Sequence, residues 1–238
     1  MGKKGRDTRL KRQMAPAFWD IIRKENRFIL NSKPGAHSKN TAYPLGVLLR
    51  DILNIASTLH EARIIVGSNY IRVDGISIRD LNYSIGLMDV LELIPTGQSY
   101  RFVPKDSQLL VPLLISDNEK QAKLVKIMRK NTIHPKKYQY GLHDGRTMLS
   151  DQKFSVGDSC LIRTPDISIL NHIKFENACT VLVIRGENAG KVGKIEEIRQ
   201  GIFSLPRRAL ISFMDKTIEL PVEALMAVGL DKPLIKIN

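Results

Sequence analysis

The stretch "VLVIRGENAGKVGKIEEI", Val181 to Ile198, decides how this chain is read. Gly186, Gly190 and Gly193 follow an apolar run and stand beside basic residues. Such glycines serve either a phosphate cradle at the mouth of a helix or a tight turn between strands. A phosphate loop needs Gly, four residues, Gly–Lys and then Ser or Thr, because the lysine reaches phosphate and the hydroxyl contacts magnesium. Here three residues separate Gly186 from Gly190, and Lys191 is followed by Val192. The dinucleotide fingerprint fails as well, for want of a Gly-x-Gly. No long helix follows; Gln200–Gly201 and "IFSLP" intervene. A strand–turn–strand reading fits better. Thr180–Ile184 is an apolar strand, and Gly186–Gly190 is a loop where glycine permits positive φ or close backbone approach. Val192, Ile195 and Ile198 lie on the return path. With strands at Ala209–Met214 and Thr217–Leu220, closed by "ELPVEALMAVG", residues 173–238 are expected to form a small SH3-like barrel. Arg185, Asn188, Lys191 and Lys194 flank its turn, in reach of RNA or protein.

The rest of the chain is consistent with a binding protein. Its 238 residues allow one to three domains. The net charge of +13 and pI near 9.8 attract polyanions, nucleic acid first and anionic membrane second. No apolar run reaches the roughly 18 residues a membrane helix needs, and no signal-type segment follows the basic start. The expectation is a cytosolic protein. Cys160 and Cys179 stand in no ligand pattern and read as buried small apolar residues.

The charge is unevenly placed. Residues 1–42 hold 11 Lys or Arg against 3 acids, a net of +8. Lys3, Lys4, Arg6, Arg9, Lys11 and Arg12 precede any sizeable apolar pattern, as in an arm that orders against a phosphate backbone. Pro16 is placed to open a short helix. Phe18, Trp19, Ile22 and Ile29 would then supply a docking surface, with Trp19 packing the arm onto the body. Residues 33–44, "KPGAHSKNTAYP", form a turn-rich linker in which Lys33, His37 and Lys39 are candidate phosphate contacts.

Residues 43–91 read as a compact helical module. Leu45, Leu48, Leu49, Ile52 and Leu53 recur at helical spacing. Thr58 with Glu61 is a capping box that starts a second helix. Gly67 releases that helix, and Tyr70–Val73, Asp74–Gly75 and Ile76–Ile78 read as a hairpin. The scaffold can present Arg50, Arg63, Asn69, Tyr70 and Arg72. Closed by Gly86–Leu87–Met88–Asp89–Val90, this layout resembles the small RNA-binding domain of ribosomal protein S-four and its relatives. Pseudouridine synthases that carry this domain follow it with a catalytic aspartate in Arg-Leu-Asp, which is absent here. The resemblance therefore implies RNA binding without catalysis.

Residues 92–172 consist of strand-length apolar runs bounded by Pro, Gly, Asp and Asn, a β-rich, barrel-like domain. Asp144–Gly145 should turn a hairpin between Tyr140–Leu142 and Thr147–Leu149. His143–Asp144 reads as a polar turn, not an acid–base pair. His134, His143 and His172 are too scattered for a zinc signature. Lys120, Lys123, Lys126, Arg129, Lys130, Lys136 and Lys137 form a basic run that is either a second phosphate-facing patch or a solvated face.

Two further resemblances join these pieces into an α+β multidomain chain. The Val181–Ile198 stretch looks like a KOW motif, the glycine turn of several ribosomal proteins and elongation factors. The order of arm, "KPGAHS" linker, helical module, "LHDGR"-containing middle and KOW barrel resembles the archaeal and eukaryotic S-four-e family of small-subunit ribosomal proteins. Lys11, Arg12, Ala15, Pro16 and Trp19 match the family's arm; Pro34, Gly35 and His37 match its linker, where Ala36 replaces a proline. The resemblance implies a structural, non-enzymatic constituent of the cytoplasmic ribosome, with an archaeal leaning. It implies small-subunit rRNA and neighbouring ribosomal proteins as partners, without metal, cofactor, membrane or homo-oligomer. The alternatives are a free regulatory or transcription-associated RNA-binding factor, an RNA-modifying enzyme and a protein-binding scaffold.

Overall fold

The computed structural model describes residues 10–134, 137–213 and 216–237, a β-rich chain with few helices. Strand β1 (Leu10–Lys11) pairs antiparallel with β2 (Phe28–Ile29). The segment between them is not the helix expected from Pro16. The Arg23 guanidinium collects the carbonyls of Ala15 at 3.0 Å and Pro16 at 2.9 Å, acceptors a helix would have used. Trp19 is buried, as its packing role requires; its indole N–H donates to the Ala42 carbonyl at 3.0 Å and its ring stacks on Tyr43. Ile22, assigned to the same docking surface, is 71% exposed.

The next region follows its sequence closely. β3 (Tyr43–Pro44) leads into α1 (Leu45–Val47), which continues as a π-helical turn over Leu48–Ile52. Leu45, Val47, Leu48 and Leu49 are all fully buried, so the segment is enclosed on more than the expected face, while Ile52 and Leu53 are half-buried. Asn54 takes a left-handed conformation just beyond it. The capping box is formed at both contacts, Thr58 Oγ1 accepting from the Glu61 amide while Glu61 accepts from the Thr58 amide, and α2 runs Leu59–Gly67. β4 (Ile71–Val73) turns through Asp74 and Gly75, both at positive φ, into β5 (Ile76–Ser77). β6 (Ser84–Ile85) returns to pair with β3.

That hairpin does not stand alone. β7 (Val90–Leu93), β8 (Gln98–Lys105) and β9 (Gln108–Ile115) extend it into one sheet of order β5-β4-β7-β8-β9. Its core unites Leu10, Trp19 and Ile29 with Leu48, Val66, Ile71 and Phe102, so residues on both sides of positions 42 and 91 share one apolar interior.

The second sheet centres on β10 (Ala122–His134), with β11 (Lys137–Leu142), β12 (Thr147–Ser150), β13 (Ser159–Arg163) and β14 (Ser168–Ile173) in the order β12-β11-β10-β13-β14. Residues 122–126 of β10 pair with β13, whereas Ile127 onward pairs with β11. The switch coincides with a β-bulge at Met128, where Ile127 faces Leu142 but Arg129 already faces Gly141.

The third sheet has the order β18-β17-β16-β15-β19, from β15 (Thr180–Val183), β16 (Val192–Arg199), β17 (Arg208–Ser212), β18 (Thr217–Pro221) and β19 (Leu225–Gly229). The opening stretch is thus strand–turn–strand, with Gly186 and Gly190 at positive φ. Gly190 is also required by proximity: a Cβ there would lie 2.7 Å from the Lys105 Cα. The glycine loop is docked on the β8–β9 turn, where the Ser107 hydroxyl and amide donate to the carbonyls of Glu187 (2.6 Å) and Ala189 (3.1 Å). Both cysteines are buried, and burial pushes the thiols up to about 12 for Cys160 and about 11 for Cys179.

Candidate nucleic-acid interface

The predicted basic residues separate into three groups. Lys3, Lys4, Arg6, Arg9 and Lys136 lie outside the described residues. Lys11, Arg63, Arg72, Lys137 and Arg185 are exposed and, among the described residues, have no carboxylate within ion-pair distance. Tyr70 is exposed beside Arg72, and Lys39 is half-buried in a short helical turn. Others are engaged locally. Lys33 pairs with Asp80, Arg50 with Asp51 at 2.7 Å and Lys194 with Asp231 at 3.0 Å. Lys191 donates to the Asn188 side-chain carbonyl at 3.0 Å, and Asn69 accepts from Arg79 at 2.8 Å.

Two candidates are withdrawn as direct contacts. Arg12 is buried; it donates to the Ile22 carbonyl, bonds Glu25 at 2.9 Å and lies 3.8 Å from Asp51. The arginine beside a basic tail reads as surface charge until a fold closes around it. His37 is buried too, with its Nε2 3.0 Å from an Asp89 oxygen. A Cβ on Gly86 would collide with the His37 ring, so Gly86 makes room for it.

The basic run of residues 120–137 is corrected further: it is neither one solvated face nor one patch. Lys123 is fully buried, and its ammonium meets Asp74 at 2.7 Å, Asp89 at 2.6 Å and Asp144 at 2.9 Å. Arg146 adds a 2.8 Å bond to Asp74. Burial alone would raise the Asp89 carboxyl, but the Lys123 charge and the hydrogen bonds from Lys123 and His37 outweigh it and hold Asp89 far below the usual carboxylate range. Asp74 goes the other way, raised by burial and by the Asp89 charge against the pull of Lys123. Asp144 is held low by Lys123 despite its burial. His143–Asp144 is a hairpin turn as expected, with Asp144 fully buried, His143 half-buried and Gly145 exposed.

Lys126 is likewise enclosed, donating to the carbonyls of Val222 (2.9 Å) and Leu225 (2.6 Å), which tie the second sheet to the third. Burial pulls its ammonium down to about 8; Glu223 opposes this and Arg185 adds to it. Beside Lys126 the three sheets enclose a cleft of about 600 Å³, with Arg129 and Arg185 at its edge. No single stretch of sequence signals this cleft, because its walls come from residues far apart in the chain. No helix among the described residues is long and apolar enough to cross a membrane.

Comparison with known proteins matches the description "Ribosomal family S4e" over residues 96–169 and the RS4NT domain over residues 4–40. The small ribosomal subunit protein eS4 of Staphylothermus marinus is 34% identical, over 100% of this chain and 98% of its own. Its counterpart in Korarchaeum cryptofilum is 34% identical with both chains fully covered. That of Pyrobaculum arsenaticum is 35% identical over 96% of this chain and 98% of its own. The crystal structure of the 30S ribosomal protein S4e from Thermoplasma acidophilum superposes with a TM-score of 0.67 at 28% identity, covering 79% of this chain and 94% of that one. With a third of its residues identical to these relatives along its whole length, the chain belongs to the S4e family of ribosomal proteins.

Proposed function

We propose that this chain is a structural constituent of the small ribosomal subunit, located in the cytoplasmic ribosome, that binds small-subunit rRNA and adjoins other ribosomal proteins. The observation that carries the reading is the full-length likeness to small-subunit proteins eS4, supported by the net charge of +13. The role is positioning without turnover. Exposed cations without a carboxylate partner among the described residues, such as Lys11, Arg63, Arg72, Lys137 and Arg185, neutralise backbone phosphates, while the surface reads folded RNA through shape and 2′-hydroxyls. In this reading the units 1–42, 43–91, 92–172 and 173–238 act as arm, S4-like module, β-rich middle and KOW-type SH3-like barrel. The glycine turn of the last presents Arg185, Asn188 and Lys191.

The test is sedimentation of the full chain with small subunits through a high-salt gradient. Retention in the small-subunit peak is expected; a chain that stays at the top of the gradient refutes the reading. The basic arm is tested separately by replacing Lys3, Lys4, Arg6 and Arg9 with alanine. Deleting all of residues 1–42 would remove Leu10, Trp19 and Ile29 from the core, so point changes are the cleaner probe. The slope of log K against log salt for rRNA should then fall by up to about 3.6, at roughly 0.7–0.9 per lost phosphate contact. An unchanged slope means these four residues do not touch phosphate.

A further inference from the structure

The cleft beside Lys126 has a feature a simple strand would not give it. Along a regular strand, side chains alternate between faces, so Lys126 and Met128 share one side and Ile127 and Arg129 the other. The bulge at Met128 inserts one residue and reverses that alternation. As a result Lys126, Met128, Arg129 and Asn131 all line the cleft. Ile127 is in the core on the opposite side, and Lys130 now lies over the Tyr138 and Tyr140 rings there. The bulge therefore delivers an exposed thioether and an exposed guanidinium, consecutive in sequence, to one opening.

The lining is amphipathic in a specific way. Leu87, Leu110 and Leu142 supply an apolar wall, while Asn131 and Gln139 supply amide donors and acceptors. Among the described residues, four Lys or Arg side chains line the cleft against one acid, Glu223. Two of the four are already satisfied, Lys126 by backbone carbonyls and Arg146 by Asp74. Arg129 and Arg185 are the two left over, with no carboxylate partner among the described residues. The volume, about 600 Å³, falls within the range of small-ligand sites. A group that pairs with two free guanidiniums, buries a flat apolar face and offers hydrogen-bonding edges is a nucleotide. An acidic peptide would also satisfy the arginines; the net charge of +13 and the full-length likeness to ribosomal proteins favour RNA, and the peptide is an outcome of the test.

We propose that the cleft between the three sheets receives an unpaired nucleotide of RNA, with Arg129 and Arg185 on its phosphates and its base against Met128 and the leucine wall. This rests on the rRNA-binding reading above and adds a site to it. The probe is a single-stranded adenosine pentaribonucleotide titrated into the full chain, monitored by fluorescence anisotropy. Two variants attack the site differently: Arg129→Ala/Arg185→Ala removes its charge, and Thr147→Trp fills it from an exposed strand position without altering charge. Lys153→Ala/Arg163→Ala, exposed and outside the cleft, matches the charge loss.

Both cleft variants should weaken binding at least about tenfold while the control stays near wild type. The double-arginine variant should also lower the salt slope by about 1.4, at about 0.7 per single-strand phosphate contact. In assembled small subunits, photocrosslinks from 4-thiouridine-substituted rRNA should fall on Met128 or its neighbours. Undiminished binding by Thr147→Trp, equal loss in the control, or a photoactivatable methionine at position 128 that captures a ribosomal protein instead of rRNA each overturn the inference. Those outcomes are separable from failure of the broader reading, which would show as wild-type chain absent from the small-subunit peak.

Discussion

Two side chains at the centre of the molecule control its response to acid and to mutation. His143 Nδ1 accepts the Lys126 amide at 3.2 Å, while Nε2 faces the Leu87 carbonyl at 3.1 Å. Only the neutral ring protonated at Nε2 satisfies both. Burial, with the Lys123 charge adding to it, pulls this imidazole from 6.5 down to about 4. Between those values the unfolded chain binds a proton that the folded chain does not. Stability should therefore fall as pH drops through that window, by up to about 3 kcal/mol. Denaturant unfolding measured from pH 7 to 4 should show the decline, flattened in His143→Gln; an equally steep profile in the variant would place the titration elsewhere. Lys123→Met should cost about 3–5 kcal/mol by the same measurement, because three buried carboxylates lose their shared counter-charge. A cost below about 1 kcal/mol would mean that protonation or water compensates them readily. None of this cluster was legible in the sequence. Asp74 and Asp144 carry the signature of turn residues, which they also are, and Lys123 sits in what reads as surface charge. Their pairing depends on loops that meet only in three dimensions.

Elements whose signals are local were legible, and those shaped by distant side chains were not. The capping box is encoded within four residues and formed as read. Thr58→Ala should cost about 1 kcal/mol and speed amide exchange across α2; unchanged exchange there would mean that packing of Ala62 and Val66 alone holds the helix. The turns at Asp74–Gly75, Asp144–Gly145 and Gly186–Gly190 were likewise specified by residues that tolerate positive φ. The segment after Pro16 had a sound helix-start signal, but only a single turn forms, the Trp19 amide donating to the Pro16 carbonyl at 3.1 Å, with Arg23 bonded to the Ala15 and Pro16 carbonyls, a contact that propensity does not contain. The bulge in β10 was also hidden. Its run of alternating and doubled apolar residues admits either register, and only pairing with β11 and β13 fixes where the extra residue goes. The free arginines of the cleft were half-legible: Arg185 stands out beside its glycine turn, whereas Arg129 is indistinguishable from Lys123 and Lys126 until burial separates them.

At the scale of the molecule, long-range polar contacts tie the sheets together. Lys123 links the second sheet to turns of the first, and Lys126 links it to the third. Arg101, fully buried on β8, bonds Glu119 at 2.6 Å and donates to the carbonyl of Lys236 at 3.2 Å. Trp19, the only tryptophan, lies in the first core, far in sequence from the third sheet. Its fluorescence and the far-ultraviolet signal of the sheets should therefore lose structure at the same denaturant concentration. Two separated midpoints would show that the first core unfolds independently of the others. The third sheet has one more consequence, for the order in which the protein is made. β15 is flanked by β19 rather than left as an edge, and the carbonyls that hold Lys126 belong to residues 222 and 225. A nascent chain that has emerged only as far as β18 lacks both the fifth strand and the acceptors for Lys126. One wall of the cleft then does not exist. Synthesis itself thus acts as a timer, withholding this part of the surface until residues 222–229 have left the ribosome that builds them.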